Sequence, residues 1–96
     1  MAPNLHSLLL LCAVQAGPPC PPEAGALVTA GWAAYRADSI ALAGERFRRA
    51  DRLCADQLDA KVGLGYALLR QERTGAADSL FQLVAGRDSL NGDAWD

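Results

Sequence analysis

Residues 26–47 read ALVTAGWAAYRADSIALAGERF, and residues 60–81 read AKVGLGYALLRQERTGAADSLF. The two segments align without a gap at a step of 34 positions, the separation of Ala26 from Ala60. Identical residues recur at this step: Ala26 and Ala60, Val28 and Val62, Gly31 and Gly65, Arg36 and Arg70, Ala43 and Ala77, and Phe47 and Phe81. A period in this range is typical of stacked-repeat proteins, in which each unit buries its apolar face against its neighbours.

Each copy carries the apolar spacing of two α-helices. The spacing predicts helices over residues 24–37, 40–53 and 58–71, and a fourth that includes Ala77 and ends at Gly86, since glycine favours helix termination. Alanine, leucine, arginine and glutamate are good helix formers, and β-branched residues are scarce. We therefore expect an all-α fold.

Short polar residues precede the second and third helices. Asp38 or Ser39 is expected to cap the second helix, and Asp56 and Asp59 place a cap and an acidic first turn before the third. These carboxylates are therefore predicted to be structural.

The N-terminal part of the chain differs from the repeats. Residues 1–16 combine a polar start with an apolar run that is too short to span a bilayer, followed by small residues before Gly17. This pattern predicts a secretory signal peptide, and hence a periplasmic or cell-envelope protein. No lysine or arginine precedes the apolar run, so the alternative is an uncleaved leader on a cytoplasmic protein. Residues 17–23 form a proline-rich spacer through which neither helix nor sheet is expected to run.

Two cysteines remain if Cys12 leaves with the leader. Cys20 lies in the spacer and Cys54 near the end of the second predicted helix. In an oxidising compartment the pair would form a disulfide that fastens the spacer to the first repeat. The alternative, slightly preferred from the sequence, is a free thiol at Cys20 and a small buried apolar residue at Cys54.

The repeat resembles the tetratricopeptide repeat, whose pattern runs W-x₂-L-G-x₂-Y and then A-x₃-F. In the second copy Leu64 and Gly65 supply the Leu-Gly pair, Ala77 and Phe81 complete A-x₃-F, and Lys61 stands in place of the tryptophan. The resemblance implies a short right-handed α-solenoid of antiparallel helix–turn–helix units. Its repeats would be residues 24–57 and 58–91. The closing proline of the family pattern is absent from both copies.

In tetratricopeptide arrays the first helix of each repeat lines a concave groove that receives a peptide or a partner helix. Carried over to this sequence, the resemblance implies a protein-binding groove formed by Val28, Trp32, Tyr35, Arg36, Val62, Tyr66, Leu69 and Arg70. Aromatic rings beside arginines are a mixture favoured at interaction hot spots. The alternative is that Trp32 and Tyr66 only pack between the repeats.

Other functions find little support in the composition. The net charge of −2 gives no electrostatic footprint for nucleic acid or an anionic membrane. The single histidine, His6, lies in the leader, so no Ser-His-Asp triad or histidine-containing metal site is expected in the mature chain. Gly63-Leu64-Gly65 lies within a predicted helix and lacks the third glycine of a dinucleotide loop. We expect neither enzymatic activity nor a cofactor.

Thr74-Gly75 is expected to separate the third helix from the fourth. Asn91 could cap a fifth helix, and a third repeat is predicted to begin at residues 92–96. Such arrays generally need about three units and a terminal cap. We therefore expect either a truncated array or self-association through the unfinished C-terminal end. A second possible role is an accessory or dimerising region of a longer envelope protein or enzyme.

Overall fold

The computed structural model describes residues 19–91, with side chains as far as Arg87. Within this range the fold is all-helical, with four helices packed against each other and no strands. The helices are α1 (Pro22–Arg36), α2 (Ile40–Leu53), α3 (Leu58–Arg70) and α4 (Thr74–Asn91). Each helix packs against the next along the chain, and α1 also contacts α3. The all-α prediction is confirmed.

Helix α1 begins earlier than predicted. Pro22 is its first residue and Glu23 lies in its first turn, so the spacer ends at Pro21. Proline is tolerated at this position because the first amides of a helix have no intrahelical acceptor. The prediction that no helix enters the proline-rich segment is therefore wrong at its last two residues.

The turns after α1 and α3 have the same geometry. Asp38 and Glu72 are the two described non-glycine residues with positive φ, at 66° and 62°. The amide of Ser39 donates to the carbonyl of Ala34, and the amide of Arg73 donates to the carbonyl of Leu68, each at 2.9 Å. This bond, closed over a left-handed residue, satisfies a helix-terminal carbonyl. The 34-residue repeat is thus present in the backbone as well as in the sequence.

The predicted capping roles of the acidic residues are wrong. Ser39 and Gln57 occupy the N-cap positions of α2 and α3, and neither side chain bonds to the helix. Asp38 instead forms an ion pair with Arg70, and Asp56 one with Arg87 at 3.4 Å. Asp59 does lie in the first turn of α3, as expected.

Helix α4 is longer than the sequence indicated. It begins at Thr74 and continues through Gly86 to Asn91, so neither Thr74-Gly75 nor Gly86 interrupts it. A lone glycine costs a helix only about 1 kcal/mol relative to alanine, which surrounding packing overcomes. The predicted leader and the predicted fifth helix, at residues 92–96, lie outside the described residues.

The core is built around Phe47, whose side chain is completely buried. The same core cluster contains small residues that are also fully buried, namely Ala43, Ala50, Ala60 and Ala77. A Cβ at Gly31 would lie 2.6 Å from Phe47 Cε1, and a Cβ at Gly63 would overlap the same ring. Glycine at both positions therefore lets α1 and α3 approach Phe47 from two sides.

Lys61, which stands at the tryptophan position of the family pattern, is buried in α3. Its ammonium forms an ion pair with Asp51 and donates to the carbonyl of Ala55 at 2.7 Å. These partners compensate for the cost of burying the charge. The lysine thereby connects α3 to α2 and to the loop between them.

Cys20 and Cys54 form a disulfide, with their Cα atoms 5.5 Å apart. The alternative that the sequence slightly favoured, a free thiol beside a small buried residue, is wrong. The bond joins the segment before α1 to the residue that ends α2. It therefore closes a loop around the first helix pair.

Candidate functional site

A row of aromatic rings runs across α1 and α3. The ring of Trp32 lies 5.6 Å from that of Tyr35, 5.0 Å from that of Phe47 and 6.0 Å from that of Tyr66, centroid to centroid. Tyr66 continues the row to Phe81 at 5.4 Å. The steep interplanar angles are those of edge-to-face contacts, which stabilise aromatic pairs beyond the area that they bury.

The glycines decide where these rings lie. Gly31 and Gly65 face Phe47 and Phe81 in the core. The next residue in each helix is turned by about 100°, because an α-helix has 3.6 residues per turn. Trp32 and Tyr66 consequently stand at the edge of the core, Trp32 half-buried and Tyr66 with 44% of its surface exposed.

Arg70 links the two helix pairs at this row. Its guanidinium forms an ion pair with Asp38, in the turn after α1, and its Cζ lies 5.4 Å from the centroid of the Tyr35 ring. Interaction with the Tyr35 side chain, ahead of interaction with Asp38, raises the pKa of Arg70 above its ordinary value. The side chain is thus held in place as a permanent cation at the surface.

The remaining predicted binding residues fall into two groups. Leu69, with 41% of its surface exposed, and Arg36 are exposed, and Val62 is half-buried. Val28 is buried and belongs to the core cluster, so it offers no surface to a partner. We call the accessible set the α1–α3 face: Trp32, Tyr35, Arg36, Val62, Tyr66, Leu69 and Arg70.

Trp32 and Tyr66 contact each other across the two helix pairs, as the packing alternative predicted. Trp32 packs between the repeats, in contact with Phe47 and Tyr66, while Tyr66 keeps much of its surface in solvent. The sequence did not predict the ion pair of Asp38, since Asp38 or Ser39 is expected there to cap the second helix, although the acidic counterpart Glu72 shares the 34-residue step. The sequence also contained no sign of the contact between Gly63 and Phe47, because the residue 34 positions before Gly63 is Thr29.

Within residues 19–91 no cluster of three or more histidine, cysteine or carboxylate side chains could hold a metal ion. None of the helices in this range is long and apolar enough to cross a bilayer. What this part of the chain presents is a surface that combines aromatic, aliphatic and cationic groups.

Comparisons of the chain with protein-family models, with curated proteins and with solved structures return no match. The fold therefore defines only a broad class: an all-helical chain in which two successive helix pairs repeat the same turn and the same glycine–phenylalanine contact.

Proposed function

We propose that this chain is a protein-interaction module of the tetratricopeptide kind, which binds a peptide or a partner helix through its α1–α3 face. Two observations support the family assignment: the 34-residue period, and the recurrence of glycine against phenylalanine where the helices of a pair approach closely. In that architecture the first helices of successive repeats line the concave side, and here these are α1 and α3.

The observation that carries the proposal is the fixed position of Arg70 beside exposed apolar side chains. Asp38 and Tyr35 hold the guanidinium, while Tyr66 and Leu69 next to it remain more than two-fifths exposed. A side chain ordered before binding loses little conformational entropy on contact with a partner. Arginine and tyrosine are also the residue types most enriched at interaction hot spots.

The charges of the face indicate the chemistry of its ligand. Arg36 is exposed and forms no ion pair with a described residue, and Arg70, which is paired with Asp38, adds a second guanidinium on α3. Tyr66 and Leu69 offer apolar area beside them. We therefore expect the ligand to be a peptide that combines carboxylates with an aromatic or aliphatic anchor.

Selection of a displayed random peptide library against the immobilised chain tests this function. Selected peptides should be enriched in aspartate or glutamate flanking one large apolar residue, and calorimetry should measure their affinity. Tyr66→Ala and Arg70→Ala should each weaken binding by at least about tenfold, which corresponds to ~1.4 kcal/mol.

Leu83→Ala is the matched control, because Leu83 is a similarly exposed apolar residue on α4. It should leave the affinity unchanged. Circular dichroism of every variant checks that the helices persist. A library that yields no enriched sequence, or peptides that bind the Arg70→Ala variant as well as they bind the wild type, would refute binding at this face.

We also propose that the protein is exported. The Cys20–Cys54 disulfide supports this, since such bonds persist mainly in oxidising compartments. Mass spectrometry of the protein recovered from its own cells should find an N-terminus at Gly17 and an oxidised cysteine pair. A chain that retains residues 1–16 and carries reduced cysteines would contradict export.

A further inference from the structure

The α3–α4 pair presents a surface that matches the one α3 covers on the first pair. Leu69, Thr74, Gly75, Asp78 and Phe81 line an open cavity of about 440 Å³, which we call the end face. Their counterparts 34 residues earlier are Tyr35, Ile40, Ala41, Gly44 and Phe47. Of these counterparts, Tyr35, Gly44 and Phe47 meet residues of α3, while Ala41 is exposed. At three positions the end face therefore repeats a surface that α3 contacts in the first pair.

Burial differs at equivalent positions of the two copies. Phe47 is fully buried, whereas Phe81 is half-buried, and Ala50 is fully buried, whereas Val84 is half-buried. Helix α3 lies against the first copy, since a Cβ at Gly44 would lie 3.8 Å from the Cβ of Ala67. No described helix covers the second copy in this way.

The described residues contact the ring of Phe81 less completely than that of Phe47. Phe47 lies between Gly31 of its own pair and Gly63 of the next. Phe81 meets Gly65, the counterpart of Gly31, with a Cβ there falling 2.6 Å from Phe81 Cε1. The side of Phe81 that corresponds to the Gly63 contact lies open towards the cavity.

A carboxylate repeats together with the ring. Asp38 has positive φ and receives Arg70 from α3. Glu72 occupies the same place in the same turn, is exposed, and forms no ion pair with a described residue. Asp78, where the first copy has Gly44, adds a second negative charge to the end face.

We propose that the end face binds a partner helix of the α3 type, with a glycine against Phe81 and an arginine seven residues later against Glu72. Gly63 and Arg70 have this spacing in α3, and seven residues are two helical turns, so both lie on one side of the helix. The arrangement continues the existing α2–α3 interface by one step. It does not depend on ligand binding at the α1–α3 face.

A folded second copy of this chain fits the end face poorly, because Gly63 and Arg70 of its α3 are already in contact with its own Phe47 and Asp38. Helix α1 supplies Arg36 at the right spacing, but its residue in the Gly63 position is Thr29. A Cβ at Gly63 would overlap Phe47, so the larger threonine would overlap Phe81 in the same register. The glycine therefore selects an occupant other than α1.

A synthetic, end-blocked peptide with the sequence of residues 57–71 tests the proposal. Titrated into the ¹⁵N-labelled full chain, it should give saturable amide shifts centred on Glu72, Asp78 and Phe81. Peptides with the Gly63→Leu or the Arg70→Glu substitution should bind at least about tenfold more weakly. The chain variant Glu72→Arg should bind the wild-type peptide more weakly than the unmodified chain does. It should bind the Arg70→Glu peptide more tightly than the unmodified chain does.

Leu83→Ala is the control on the protein side, since its counterpart Arg49 stays exposed in the first copy and Leu83 should not be covered. The absence of saturable shifts would overturn the proposal. So would an affinity that changes neither with Gly63→Leu in the peptide nor with Glu72→Arg in the chain. So would shifts centred on Gly31 and Phe47, or sedimentation showing a dimer in which Phe81 is already protected.

Fusing a second copy of α3 and α4 to the chain tests the same interface without the entropy cost of ordering a free peptide. Residues 58–91 are appended directly after Asn91, which keeps the 34-residue register. The added helix should bury Phe81 and raise the free energy of unfolding, and Gly63→Leu in the appended copy alone should abolish the gain. An appended segment that stays unfolded by circular dichroism would overturn the proposal.

Discussion

At the scale of single residues, one phenylalanine and two glycines determine how the helices meet. The Phe47 ring fills the space that Gly31 and Gly63 leave by having no side chain. Large and small residues alternate in this way wherever interiors pack to crystal-like density. The sequence identified Gly31 as a contact point because it recurs as Gly65, but Gly63 has no such repeat partner within the described chain. Its role could be recognised only from the packing.

We expect Gly63→Ala to destabilise the fold. The new Cβ would overlap the fully buried Phe47 ring, and overpacking of this kind costs about 1–3 kcal/mol, against ~1 kcal/mol gained in helix propensity. Gly25→Ala is the control, because a Cβ there meets nothing within 4 Å. It should be neutral or mildly stabilising.

Urea denaturation measures both variants. Equal stability of Gly63→Ala and Gly25→Ala would show that α3 does not approach Phe47 as closely as described here.

At the scale of elements, helix positions were more predictable than helix ends. The bounds of α2 agree with the sequence prediction, because its apolar stripe is regular and its neighbours break cleanly. The end of α4 was misplaced, since Gly86 lowers helix propensity without ending a helix. The acidic residues were assigned to caps because the sequence could not show that Arg70 and Arg87 would approach them from other helices.

The disulfide also acts at this scale, because it fixes the segment before α1 to the end of α2. Its cysteines are 34 residues apart, and closing a loop of that length in the unfolded chain stabilises the fold by ~4 kcal/mol in the chain-entropy view. We therefore expect reduction to lower the melting temperature markedly.

Calorimetry with and without reductant makes this comparison in a Cys12→Ser background, which removes the third thiol. Adding Cys20→Ser should reproduce the reduced value and abolish the response to reductant. An unchanged melting temperature of the Cys12→Ser protein on addition of reductant would contradict a stabilising role of the disulfide.

At the scale of the whole molecule, two similar helix pairs differ in how well they are enclosed. The repeat in the sequence predicts equivalent packing, and the turns and the contacts of Gly31 with Phe47 and of Gly65 with Phe81 are equivalent. It could not predict the difference between Phe47 and Phe81, because that depends on what lies beyond each pair. Of the residues predicted to bind a partner, Val28 is buried and the others are at least partly exposed. The contacts of Asp38 and Tyr35 with Arg70 could not be predicted from the sequence, because they join different helices.

This asymmetry should appear in unfolding energies. Phe47→Ala empties a site enclosed by two helix pairs and should cost about 3–5 kcal/mol, as is usual for buried phenylalanine. Phe81→Ala should cost roughly half as much, since its ring is only half-buried. Chemical denaturation compares them, and a Phe81→Ala loss equal to that of Phe47→Ala would contradict the open end face.

Phe47 is held between the glycines of two successive helix pairs, and nuclear Overhauser spectroscopy can measure this contact directly. The ring protons of Phe47 should show cross-peaks to the α-protons of both Gly31 and Gly63. A Phe47 ring that contacts only one of the two glycines would contradict the repeat packing described here.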